Sequence, residues 1–577
     1  MIIIKGVPAS SGIAIGRAYV HEDDDLVVEK RAMAKTKLKD EVKRFRDALR
    51  MTNSDLDATE EKVLSMLGRQ HAKLIEAHRL ILKDPLITQE VPSRIMREEI
   101  NAEYALSQTL EQANKNFEKI DDEFFRERRH DLFDVGKRLI RHLVKNTRKS
   151  LADIKEPVIL VAHNLYPSDT IHLRESEVLG FCTDIGGRTS HTALLAQSME
   201  IPAVVGLSDV TRQIKNGDVV IIDGDRGLVV INPGTDALDK YQKLKRKEKQ
   251  DEKNFERVRD LPSVTRDGRK VSVMLNLDPR EDVKPHVQLK PDGVGLIRTE
   301  SIYMNRAVTP SEDEHFEIYK GLAAAFDGKS VTIRLADIGG DKLAALGIGD
   351  MDTEANPFMG LRGIRLFLKH TDLLKIQLRA VLRSAQSKNV KVMIPMITNI
   401  DEVKQVRVII DEIYDEFIKS GNPLIVRPQL GIMVEVPSAA ITIDGILGII
   451  DFVSIGTNDL IQYLLAVDRI NQHVAEMYDS YSPAVIRIIN LVVQSAHKKG
   501  KDVSVCGEMA SDAITAALLV GLGVDTLSVP PRRYYKIKHM VRGLSFAKCS
   551  NLAQQALVMS SGNEVRELMY KALDENP

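Results

Sequence analysis

The sequence predicts a multidomain α/β protein: a small α/β domain interrupted by an inserted helical bundle, a connecting helix, and a C-terminal TIM (β/α)8 barrel. Three observations carry this. The chain has 577 residues, too many for a single hydrophobic core. From about Glu29 to Lys149 charged residues are dense, glycine nearly vanishes and apolar residues return at helical spacing. After Pro262, eight short apolar runs alternate with helical stretches, the pattern of strand-then-helix units.

The first segment, residues 1–20, contains "GIAIGRAYV", a β-branched and small-residue run with strand character. Residues 21–149 form the predicted helical block. Leu38, Val42, Phe45 and Leu49, and again Leu132, Val135, Leu139 and Leu143, lie on single helix faces. "KDPL" and "EVPS" should interrupt it, because proline cannot continue a helix interior. Residues 150–233 return to strands, "VILVA", "VLGFC" and "GDVVIIDGDRGLVVINP", the last with an Asp-Gly-Asp turn between two apolar runs. The helical block therefore reads as an insertion into one α/β domain. Residues 234–262 are charged and free of helix breakers after the first turn, which suits a solvated connecting helix. Residues 263–577 carry the barrel runs "VSVMLNL", "GVGLIRTE", "VTIRLADIGG", "VKVMIPMI", "LGIMVEVPSA", "FVSIGTNDL", "DVSVCGEMA" and "TLSVPP".

Composition excludes several classes. With 81 basic and 82 acidic side chains the chain is nearly neutral, and nothing in that balance suits a nucleic acid or an anionic membrane. No run of about eighteen apolar residues occurs, and no basic-then-apolar leader opens the chain. Three widely spaced cysteines, Cys182, Cys506 and Cys549, give neither a disulfide framework nor a zinc spacing. The expectation is a soluble cytoplasmic protein.

Polar residues at the ends of the barrel runs locate the chemistry, since barrel enzymes keep it at the C-terminal mouth. They include Asn276, Arg298, Glu300, Arg334, Asp337, Glu435, Asn458, Asp459, Cys506 and Glu508. Arg298 and Arg334, on neighbouring runs and with Arg469 in "AVDRIN", offer planar forks for a phosphate or carboxylate. Glu435 and Asp459 follow consecutive runs and can reach one hard divalent cation such as Mg2+; a structural acid pair is the alternative. Cys506 suits a thiol that donates a proton to carbon, or a small buried hydrophobe. Outside the barrel, "GGRTSHTALL" sets His191 in the first turn of a helix capped by Thr189 or Ser190. Free amide N–H groups and the positive helix end there disfavour imidazolium and favour a bound dianion.

"GGRTSHTA", "GVGLIRTE", "ADIGGDK", "NPFMGLRGIR", "GIMVEVPSA", "IGTNDLIQYLLAVDR" and "VCGEMA", in this order and over essentially the whole chain, resemble the Enzyme I family of the phosphoenolpyruvate-dependent phosphotransferase system. The resemblance implies phosphoryl transfer from phosphoenolpyruvate to Nε2 of His191, which rides on a swivelling phosphohistidine domain, and then to a histidine of a small phosphocarrier protein. It implies that Arg298, Arg334, Arg469 and Asn458, with Asp459, hold the substrate. It further implies that Glu435 and Asp459 bind magnesium, that Cys506 protonates the enolate, and that the barrels form a homodimer. The carrier would dock on the helical block. Two alternatives are a phosphoenolpyruvate synthase or dikinase relative without its ATP domain, and a phosphoenolpyruvate-sensing scaffold. Several positions depart from the family pattern: Leu335 and Ala336 replace threonine and leucine, Ser301 and Ile302 replace Phe-Leu, Gln197 replaces arginine, Ser482 stands where histidine is common, and "PPRRYYKIK" replaces a more apolar run. None removes a proposed catalytic residue.

Overall fold

A computed structural model of the chain describes all residues except 22–27, 68–77, 80, 118–131, 133–134, 137, 145–153, 155, 166–172, 174–176, 188–191, 194–195, 197–200, 305–307, 340–353, 355, 422–425, 470, 472–473 and 575–577. The chain divides into two compact units, Met1–Glu248 and Lys249–Pro577.

The first unit is built on an eight-stranded sheet. Its strands are β1 (Ile2–Lys5), β2 (Val7–Ser10), β3 (Ile13–His21), β4 (Val158–Ala162), β5 (Val178–Thr183), β6 (Ala203–Val205), β7 (Val219–Asp223) and β8 (Leu228–Ile231), in the order β1-β8-β7-β3-β4-β5-β6-β2. β3 pairs antiparallel with β7 and parallel with β4, so chain on either side of residues 22–157 shares one sheet. β-Branched residues fill these strands because their branched side chains pack well on a pleated surface, and Ile159, Val161, Val220, Ile221 and Ile222 are fully buried.

Between β3 and β4 lie the helices Leu38–Leu67, Val91–Glu98 and Ala102–Phe117. Phe45, Leu56, Ile87, Ile95, Leu106, Val135 and Leu139 form their buried core, with Leu38, Leu132 and Leu143 beside them and Val42 and Leu49 at its edge. Both apolar stripes read in the sequence thus face inward. "EVPS" does not break the helix as expected. Residues Leu86–Glu90 form a π-helical turn that runs directly into Val91–Glu98, and Pro92 sits in the first turn of that helix. Because the chain before it is already helical, the π-helical turn is what accommodates the ring and the missing N–H.

The helix Thr235–Glu256 departs from expectation too, since it is not solvated all round. Leu238, Tyr241 and Leu244, three residues apart, pack on Ile13, Ile221 and Val230, and Tyr241 Oη donates to Asp223 Oδ2 at 3.2 Å.

The second unit is a closed barrel of eight parallel strands, β9 (Ser272–Leu277), β10 (Val294–Ile297), β11 (Val331–Arg334), β12 (Val390–Ile394), β13 (Gln429–Val434), β14 (Phe452–Ile455), β15 (Val503–Val505) and β16 (Thr526–Val529), with β16 pairing back to β9. These coincide with the eight runs read in the sequence. Alternation along each strand sends Val392 and Ile394 to the large core under the helices. Leu296, Met393, Met433 and Cys506, with Phe452 against them, form a separate small cluster inside the barrel. Among the described residues no helix is long and apolar enough to cross a membrane.

Candidate active site at the barrel mouth

Parallel pairing of β10 with β11 brings Arg298 and Arg334 to neighbouring positions at the mouth. They do different things. Arg298 is exposed, and its guanidinium makes no hydrogen bond or ion pair with a described residue. Arg334 is largely buried and donates from Nη2 to Glu300 Oε1 at 2.8 Å, while its Nε has no hydrogen-bond partner among the described residues. Burial opposes its charge, but Glu300, Asp337 and Glu435 outweigh that and hold its pKa above the ordinary value.

Three carboxylates meet beside these arginines. Asp337, Glu435 and Asp459 each offer an oxygen within 4.8 Å of the others. Glu435 follows β13, is 1% exposed and accepts the Met396 backbone N–H on Oε1 at 2.7 Å. Burial, then the charges of Asp337 and Asp459, push its pKa up to about 8 against the pull of Arg334. Asp459 is buried at the start of the helix Thr457–Leu465. Its Oδ1 lies 3.5 Å from Arg469 Nη2, an ion-pair separation that leaves this buried oxygen without a hydrogen bond among the described residues. Mutual repulsion and an orphaned acceptor in a set of hard oxygen donors suit a divalent cation.

Arg362 braces the cluster. Its Nε and Nη2 hold both oxygens of Asp337 at 3.0 and 2.6 Å, Nη2 also reaches Asp459 Oδ2 at 3.3 Å, and Nη1 donates to Tyr463 Oη at 3.3 Å. Across the mouth, Asn458 Oδ1 accepts the Glu508 backbone N–H at 2.8 Å, joining the ends of β14 and β15. Cys506 is 4% exposed. Ser454 Oγ donates to its sulfur at 3.5 Å, and the thiol points at the Ile455 carbonyl at 3.7 Å. Burial raises its pKa above the ordinary thiol value, only partly offset by the Ser454 hydrogen bond and by Arg334. Beneath it Asn276 Nδ2 donates to the carbonyls of Cys506 and Ser528 at 3.1 and 3.0 Å.

The mouth therefore brings together Arg298, Arg334, Glu435, Asn458, Asp459, Arg469 and Cys506, all named from the sequence. His191, with Thr189, Ser190 and Gln197, lies outside the described residues. Sequence reasoning missed Arg362, which sits in a long connection away from any strand end; its only signal was the stretch "NPFMGLRGIR". Asp337 was noted at a strand end but not as a cation ligand, because nothing in linear spacing shows that the β11 end meets those of β13 and β14.

Family models match three stretches of the chain: "PEP-utilising enzyme, N-terminal" over residues 5–128, "PEP-utilising enzyme, mobile domain" over 154–227, and "PEP-utilising enzyme, PEP-binding domain" over 252–546. Relatives curated as phosphoenolpyruvate-protein phosphotransferase match nearly end to end. The one from Listeria innocua is 41% identical over 571 residues, 98% of this chain and 99% of its own length. The Bacillus subtilis protein is 40% identical over 562 residues, 97% of this chain and 98% of its own. That of Staphylococcus aureus is 38% identical over 567 residues, 98% and 99% of the two chains.

Proposed function

The chain belongs to the PEP-utilising enzymes, among the phosphoenolpyruvate-protein phosphotransferases, and from that premise we propose that it moves the phosphoryl group of phosphoenolpyruvate to its own His191 and then to a histidine of a small phosphocarrier protein, the first step of the sugar phosphotransferase system. The observation that carries this reading is the single mouth where exposed Arg298, buried Arg334 and three converging carboxylates lie together with a buried thiol.

The bond from phosphorus to the enol oxygen breaks as His191 Nε2 bonds to phosphorus, and the enolate carbon takes the Cys506 proton to give pyruvate. Phosphoryl transfer demands mostly positioning and charge neutralisation. Arg298, Arg334 and Arg469 supply fixed positive charge for phosphate and carboxylate, and Asn458 adds a side-chain amide. Glu435 and Asp459, with Asp337 beside them, would hold Mg2+, which supplies further neutralisation of the phosphate oxygens. Barrel interior packing around Cys506 keeps water from competing for the enolate.

His191 and the barrel belong to different units of the chain, so the cycle requires a swivel through residues 234–262. We assign carrier docking to the helical block 21–149, dimerisation to the barrel, and the cytoplasm as compartment. Three free, buried cysteines suit a reducing compartment. The synthase or dikinase alternative is not favoured, because the phosphotransferase relatives match the chain almost end to end. The test is incubation with labelled phosphoenolpyruvate and magnesium. Acid-labile label on the wild type, absent from His191→Ala and passed on to a carrier protein, is the expected result; label retained by His191→Ala would overturn the assignment.

A further inference from the structure

Outside the mouth, a buried chain of polar groups ties two of its strand ends together. Gln377, on the helix Thr371–Ser384, is fully buried, as are Thr299, Tyr319 and His315. Its Oε1 accepts the Ala336 backbone N–H at 3.2 Å, and its Nε2 donates to Thr299 Oγ1 at 3.1 Å and to Tyr319 Oη at 2.9 Å. Thr299 Oγ1 in turn donates to the Arg334 carbonyl at 2.8 Å, and Tyr319 Oη bonds His315 Nδ1 at 2.9 Å. The amide orientation is dictated rather than chosen: Ala336 N–H can only donate, so oxygen must face it and nitrogen must face the two hydroxyls.

This side chain therefore bridges Thr299, two residues past β10, and Ala336, two residues past β11. We infer that Gln377, which touches no substrate-facing group itself, is a positioning residue that sets the spacing between Arg298 and Arg334 by clamping Thr299 and Ala336 from behind the strands. A buried amide with all three of these bonds made is rigid; losing them leaves the Ala336 N–H unpaired and takes one donor from each of two hydroxyls in a dry interior. The clamp makes no demand on the side chains of Leu335 and Ala336. Both are buried and fixed through backbone bonds, Leu335 N–H to the Met393 carbonyl at 2.9 Å and Ala336 N–H to Gln377, and neither bond uses the side chain.

The functional readout rests on the phosphoenolpyruvate chemistry proposed above; the structural readout does not. In the full-length protein, Gln377→Met keeps length and apolar volume but removes the amide. Hydrogen exchange at the Ala336 and Asp337 amides should speed up by about tenfold or more. In the labelling assay the KM for phosphoenolpyruvate should rise about tenfold with kcat nearly kept, the signature of weakened ground-state binding. Thr299→Val should raise KM similarly, and Thr299→Ser, which returns the hydroxyl, should recover most of the loss. A lowered melting temperature with unchanged KM and unchanged exchange would overturn the inference, leaving Gln377 as packing alone. Wild-type protein that takes no label would sink the proposed function, while the exchange data would still decide the clamp. Should Gln377→Met fail to fold, the Thr299→Val and Thr299→Ser pair decides by the same two readouts.

Discussion

The backbone N–H of Met396 donates to Glu435 Oε1 at 2.7 Å from a left-handed conformation, φ 57°. For a non-glycine residue that conformation costs roughly 1–2 kcal/mol. The strain persists where it supplies a donor to a buried carboxylate that burial and two neighbouring acids push toward its neutral form. Gly363, itself at φ 55°, makes room beside it, since a Cβ there would lie 2.8 Å from Met396 Cγ and 3.1 Å from Asp337 Oδ1.

Glu435→Gln should abolish label uptake and also remove the thermal stabilisation that Mg2+ gives the wild type. Metal-free protein supplies a second check. The folded Glu435 carboxyl titrates at about 8 against an ordinary value of 4.5, so the stability it contributes is complete below 4.5 and is lost as pH rises toward 8. The melting temperature of metal-free wild type should therefore fall across that window. Glu435→Gln should flatten the fall, and equal slopes for the two proteins would count against the assigned environment.

Arg362→Lys keeps a positive charge but cannot fork onto both oxygens of Asp337 while reaching Asp459. With the acid cluster loosened, kcat/KM for phosphoenolpyruvate should drop roughly a hundredfold. Steady-state pyruvate release measures it, and a variant within about twofold of wild type would remove Arg362 from the site.

Cys506→Ala should slow pyruvate formation by about two to four orders of magnitude, the usual worth of a positioned general acid, with phosphoenolpyruvate binding largely kept. Because burial raises the thiol above its ordinary value of 9.0, it stays protonated at neutral pH and can donate. Alkylation attributable to Cys506, taken as wild type minus Cys506→Ala, should be slow at neutral pH and climb only in strongly alkaline buffer. Fast alkylation at neutral pH would mean a thiolate, which cannot serve as the acid.

Gly507 precedes the short helix Glu508–Ser511, and an added Cβ would fall 1.8 Å from Thr457 Oγ1 and 2.9 Å from Asn458 Oδ1. Gly507→Ala should cost about 1–3 kcal/mol of stability by overpacking. It should also displace Asn458, raising the KM for phosphoenolpyruvate beyond what the stability loss alone produces in folded protein. Calorimetry and kinetics on the same preparation separate the two effects.

The eight barrel runs were legible because each is a short apolar stretch, nearly all closed by a polar residue or a proline, and period and punctuation are local properties. Strand-end position then marked Arg298, Arg334, Glu435, Asp459 and Cys506 without any knowledge of contacts. Pro92 misled because a proline within a helical pattern reads as a break, whereas its place in the first turn depends on the π-helical turn before it.

The sequence by itself determined which residue types stand at strand ends, which faces are apolar, and, through long ordered motifs, the family. Only the tertiary structure decided that Arg298 pairs with no described residue while Arg334 is held by Glu300, that Asp337 joins Glu435 and Asp459, and that Arg362 and Gln377 reach in from helices and connections to brace the mouth. The reason is physical. Hydrogen-bond partners and local dielectric depend on separations set by barrel closure, in which residues as far apart in the chain as Asn276 and Ser528 come within 3.0 Å of one another.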